Sequence, residues 1–221
     1  MLRNRHKRII RSAFSSAVRK AGDLSAGVFD ISGQMLAQAI TGTPGHVNAI
    51  AQSVNHFIDR FTINDMQDGD VYITNAPWLA TGHLHDFTAV TPCFYSQKLV
   101  ALFVSTCHVV DIGGRGFGAD AREVFEEGLA IPISRIIDAG KLDVTLFEII
   151  RTNVREPLLV EGNLHSLIAC NGRGAHRRRE MMTEFNVDSL ELLANWIIQQ
   201  SHKGMSEVIS KLQPAEYQHQ I

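Results

Sequence analysis

Two long apolar runs dominate the middle of the chain. Phe87 to Tyr95 and Leu99 to His108 are rich in Val, Thr, Phe and Leu and are separated by polar Ser96-Gln97-Lys98. Runs of that length and composition predict two strands of a β-hairpin, although the turn lacks an Asn-Gly or Asp-Gly pair. Upstream, Ile9, Ile10, Phe14 and Val18 repeat at helical spacing and predict a helix over 5–21. Val28-Phe29-Asp30, Ile31-Ser32-Gly33-Gln34 and Met35-Leu36-Ala37 read as strand, turn and strand. Val47, Ile50, Ala51, Val54, Phe57 and Ile58 share one face of a helix over about 46–61. Val71 to Thr74 is a short strand.

From Asp143 onward the period becomes helical. Leu146 to Arg155 reads as a helix stopped by Pro157, and Leu158 to about Glu184 as a long one with Leu159, Leu164, Leu167, Ile168 and Met182 as core candidates. Asp188-Ser189 would cap a last helix running to about Leu212, before a polar tail. The fold class expected is α+β. A mixed sheet region with the hairpin, residues 1–140, precedes a helical region, residues 141–221, the two forming one structural unit.

Composition narrows the picture. The 221 residues are 45% hydrophobic, enough for a sizeable core, and the net charge of −2 gives no reason to expect nucleic acid or an anionic membrane. No apolar run approaches the ~20 residues of a membrane span. The basic start, MLRNRHKRIIRSAF, is not followed by the apolar region of a secretory signal. Cys93, Cys107 and Cys170 lack zinc-like spacing, so a reducing, cytoplasmic setting is the default. The basic run Arg173 and His176 to Arg179 reads as a solvated helix face or a subunit contact.

The candidate chemistry sits at the ends of the hairpin. His83–Asp86 and His108–Asp111 are two copies of His-x-x-Asp, and antiparallel pairing would bring Asp86 beside His108. Two imidazoles and two carboxylates would suit a divalent Mn, Fe or Zn ion. Residues i and i+3 of a regular strand point to opposite faces, so each pair needs a turn or bulge, which Gly82 and Gly113-Gly114 permit. The competing reading is polar strand ends facing water. His46, near a helix N-terminus, would be held neutral by the helix dipole, as a base, a ligand or a surface residue. Gly113 to Gly118 lacks the signatures of a nucleotide loop and reads as a mobile loop closing over the site, with Arg115 or Arg122 available to an anionic substrate.

These residues resemble the hydantoinase B/oxoprolinase family. The motifs are Gly82-His83-Leu84-His85-Asp86 and Cys107-His108-Val109-Val110-Asp111-Ile112-Gly113-Gly114, continuing through Glu126-Glu127-Gly128, Asn153-Val154-Arg155-Glu156-Pro157 and Glu161-Gly162-Asn163-Leu164. Upstream, Arg11 to Ser15, Asp23-Leu24-Ser25, Phe29-Asp30 and His46 also match, so the resemblance spans about residues 9–184. It implies a subunit that opens cyclic amides or carboxylates ketones in an oligomeric assembly, with ATP used only by an A-type (HyuA-like) partner. It further implies metal ligation by His83, Asp86, His108 and Asp111, and catalytic roles for His46 and Asp23.

Departures from the family pattern are Lys20 for a glutamate, His85 for a proline, and Ala76 and Asn163 for aspartates. Family members are more than twice as long as this chain. Both features also allow a truncated, inactive relative that serves as a binding partner.

Overall fold

The structure, a computed structural model, describes residues 22–39, 43–116, 118, 120–213 and 215. The helix expected over 5–21, and Lys20 with it, lies outside the described residues, as does nearly all of the polar tail.

Seven strands form one antiparallel sheet. They are β1 (Leu24–Phe29), β2 (Met35–Gln38), β3 (Val71–Thr74), β4 (Asp86–Tyr95), β5 (Lys98–His108), β6 (Ser134–Asp138) and β7 (Lys141–Leu142), in spatial order β2-β1-β5-β4-β3-β6-β7. The expected hairpin is therefore the centre of the sheet. Its turn has two residues, Ser96 and Gln97, both at positive φ (47° and 64°), with Tyr95 paired to Lys98. That is the mirror-image turn that matches strand twist, built here without glycine.

The helices are α1 (Pro44–Arg60), α2 (Val124–Glu127), α3 (Val144–Asn153), α4 (Pro157–Glu184) and α5 (Glu191–Ile209). The long apolar runs of β4 and β5 are explained by burial on both faces. On one side Ile50, Val54 and Phe57 of α1 pack against Tyr72, Val90, Leu102 and Val104. On the other, Val160, Leu164 and Leu167 of α4 pack against Ile73, Phe87, Ala89 and Cys107. Further along α4, Ala175 and Met182 meet Cys93, Ala101 and Phe103. Each fully buried side chain of this size contributes about 1.5–3 kcal/mol before entropy is counted.

Several expected boundaries shift. Pro157 does not merely stop α3; it opens α4 in the first turn, where its missing N–H costs nothing. The start of α5 is Glu191, with Leu190 at the cap position, and Ser189 Oγ accepts only the Glu191 N–H. Strands β6 and β7 lie outside the expected elements; β6 pairs with β3 across a register shift between Val71 and Tyr72. Within the basic run on α4, His176 and Arg177 pair with Glu180 and Arg179 with Asp68 at the surface, whereas Arg178 is half-buried against Met181. Among the described residues, no helix is long and apolar enough to cross a membrane.

Candidate metal centre at the mouth of the hairpin

Strand register builds the site. Asp86, the first residue of β4, pairs directly with His108, the last of β5. Residues 83–85 form a turn, closed by the Asp86 N–H donating to His83 O (3.2 Å). That turn is what lets an i,i+3 pair converge: His83 Nε2 lies 3.4 Å from Asp86 Oδ2. His108 Nδ1 lies 3.1 Å from Asp86 Oδ1. His83, Asp86 and His108 each offer a ligand atom within 4.8 Å of the others, Asp86 and His108 buried and His83 half-buried.

Helix α1 and strand β1 complete the group. His46, buried in the first turn of α1, places Nε2 3.1 Å from Asp86 Oδ2 and 3.7 Å from Asp23 Oδ1. Asp23 lies just before β1, where His108 N donates to its carbonyl (3.2 Å), and its Oδ1 accepts from Thr43 Oγ1 (2.7 Å). Its Oδ2 is 3.8 Å from His108 Nδ1, and its side chain is one-third exposed. Five of the expected site residues, Asp23, His46, His83, Asp86 and His108, thus meet at one point.

The electrostatics are those of a carboxylate held charged. Burial by itself would raise the Asp86 pKa, but the hydrogen bond with His108 and the close imidazoles of His46 and His83 outweigh it and hold the group far below the usual carboxylate range. His85 stacks on His108, ring centres 5.3 Å apart and nearly parallel. Burial, then the neighbouring His108 and His83, push its pKa down and favour the neutral ring.

The second His-x-x-Asp copy does not close. Asp111 lies beyond the end of β5, and its carboxylate accepts from Gly113 N (3.0 Å), Arg155 Nη1 (2.8 Å), Glu156 N (3.2 Å) and Arg155 N. Those bonds tie the β5 exit to the junction of α3 and α4. Both oxygens are taken, and Asp111 stands outside the three-residue ligand group.

Arg115 is likewise committed, to Glu126 (2.5 Å) and Asp120 (3.2 Å). Arg122 lines an open cavity with Pro77, Trp78, Gly82, Glu123 and Glu127. Gly113 and Gly114, expected in a mobile loop, are packed instead: a Cβ on Gly113 would come within 2.5 Å of Asn153 O, and one on Gly114 within 2.4 Å of Glu126 O.

Asn75, and Glu127 of the Glu126-Glu127-Gly128 motif, given no site role from the sequence, hold the 83–86 turn in place. Fully buried Asn75 donates to Leu84 O (2.8 Å) and Leu129 O (2.9 Å) and accepts from Ile131 N (2.6 Å). Glu127 Oε2 accepts from Leu84 N (3.2 Å). Asn75 directly follows a four-residue apolar strand, a position where a fully buried amide needs several partners. That was the one available signal.

The family model for hydantoinase B/oxoprolinase matches residues 2–221. The chain belongs to that family. The B-type component of a candidate D-/L-hydantoinase from Pseudomonas sp. strain NS671 is 29% identical over 223 residues, 96% of this chain and 37% of the relative. The beta component of the caprolactamase of Pseudomonas jessenii is 27% identical over 81% of this chain and 31% of its own length. Hydantoinase B relatives of this kind are thus spanned to only about a third of their length.

The fold also matches the crystal structure of ATP-dependent caprolactamase from P. jessenii, with a TM-score of 0.88 at 23% identity over 97% of this chain and 37% of that one. The nucleotide-free acetone carboxylase structure gives 0.77 at 19% identity, over 89% of this chain and 26% of that one. Both likenesses are of fold.

Proposed function

We propose that this chain is the metal-bearing part of a subunit that opens cyclic amides beside an A-type, HyuA-like partner that uses ATP. The observation that carries the reading is a buried carboxylate, Asp86, met by three imidazoles, His46, His83 and His108, at 3.1–3.4 Å.

The donor set fits a divalent ion. Two imidazoles and one carboxylate, His83, His108 and Asp86, are a three-residue ligand set with positions left open for water or substrate. Mn, Fe or Zn bound there would supply Lewis acidity and a more acidic water.

The chain's own residues supply the rest. His46 places Nε2 3.1 Å from the second oxygen of Asp86, close enough to stabilise its charge from outside the ligand set. Its Nδ1 is buried with no hydrogen-bond partner among the described residues. Asp23, partly exposed and within 4 Å of both His46 and His108, is the carboxylate able to take a proton from a water attacking the amide carbon.

The hydantoinase and caprolactamase relatives favour hydrolysis. Ketone carboxylation would instead rest on likeness of fold alone.

Reconstitution with an A-type subunit, ATP and hydantoin tests the reading. ATP-dependent ring opening is expected, falling by about 100-fold or more in Asp86→Asn. A complex that forms but never opens the ring would favour the inactive binding-partner relative and contradict the proposal.

A further inference from the structure

We infer that the cavity between Trp78 and Arg122 is the seat of the substrate ring, and that it selects a flat, neutral ring carrying adjacent N–H and C=O groups. This rests on the cyclic-amide reading and deepens it by naming the residues that would recognise the ring.

The cavity has a volume of about 400 Å³, ample for a small heterocycle. Its wall is joined to the candidate ligands through the chain: Gly82 in the wall directly precedes His83, and Glu127, also in the wall, accepts from Leu84 N in the 83–86 turn. Trp78 stands 77% exposed on the loop leading into that turn. An indole presented at a polar cavity offers a flat face for stacking.

The polar groups define the ligand's edge. Arg122 makes no hydrogen bond or ion pair among the described residues, whereas Arg115 is paired twice. Its guanidinium can donate to a ring carbonyl, and Glu123, in the same wall, can accept from a ring N–H. One guanidinium and two carboxylates, Glu123 and Glu127, share the lining, which does not suit a doubly charged anion such as phosphate. A donor–acceptor edge on an uncharged ring satisfies both signs at once.

Equilibrium dialysis of the metal-free chain with hydantoin tests this apart from the metal. Saturable binding is expected, weakened about tenfold by Trp78→Ala and by Arg122→Gln, and about tenfold when N,N′-dimethylhydantoin replaces hydantoin. Inorganic phosphate should not displace it. In a Trp196→Phe background Trp78 is the remaining tryptophan, and its fluorescence should respond to hydantoin. No saturable binding, unchanged binding in both cavity variants, or displacement by phosphate would overturn the inference. Hydantoin bound by a chain that takes up no metal would leave the cavity assignment standing while the metal reading fails; metal without hydantoin binding would do the reverse.

Discussion

Asp86 and His108 face each other across the mouth of the central hairpin, paired in register and joined side chain to side chain at 3.1 Å. Both are buried, and the carboxylate's other oxygen lies 3.1 Å from His46 Nε2. Two imidazoles therefore sit against one buried carboxylate.

Asp86→Ala removes the acceptor of the buried His108 Nδ1 hydrogen bond and the charge beside His46. For one buried hydrogen bond lost, the metal-free protein should lose about 1–3 kcal/mol. Urea unfolding measures the loss. A change below about 0.5 kcal/mol would mean that the carboxylate is not engaged as described.

Asn75→Leu should act on the site from a distance. It removes three hydrogen bonds, two of them buried, that join the end of β3 to Leu84, Leu129 and Ile131, at an expected cost of about 3 kcal/mol. Because Leu84 lies inside the 83–86 turn, metal affinity should fall with stability. Undiminished metal affinity in a folded Asn75→Leu protein would show that the turn is held by other contacts.

Asp111→Asn separates the two His-x-x-Asp copies. Backbone bonds from Arg155, Gly113 and Glu156, together with the Arg155 charge, overcome the effect of burial and hold the Asp111 carboxyl below its usual range. A depressed pKa contributes stability that is fully present above the unfolded value, near pH 4, and is lost as pH falls through the folded value. The variant should therefore be less stable at neutral pH, by about 1–2 kcal/mol after allowance for the exposed Arg155, and the deficit should shrink in acid. Metal stoichiometry should be unchanged. Loss of metal in this variant would return Asp111 to the ligand set.

The sheet's centre was legible because β4 and β5 are buried on both faces and so read as uninterrupted apolar runs. Their antiparallel pairing also made the approach of Asp86 to His108 foreseeable. What escaped was decided by contacts distant in sequence. Strand β6 (SRIID) alternates weakly, and β7, the edge strand beside it, has two residues. Asp111 shares its spacing with Asp86, yet the chain leaves β5 toward α3 and α4, and Arg155, 44 positions away, claims the carboxylate. Spacing places a side chain on its strand; it does not reveal which distant donors reach it first.

Ser96 and Gln97 hold the hairpin turn at positive φ, which costs non-glycine residues roughly 1–2 kcal/mol each. Replacing the pair with Asn-Gly should stabilise the protein by about 1 kcal/mol, read as a higher urea midpoint with an unchanged slope. No gain would mean that the turn is relaxed in some other way.

The most direct test of the metal centre is elemental analysis of the purified chain after incubation with Mn, Fe or Zn, beside a His83→Ala/His108→Ala double variant. About one ion per chain, lost in the double variant, is the predicted result. No bound metal in the parent chain, or equal metal in both proteins, would contradict it.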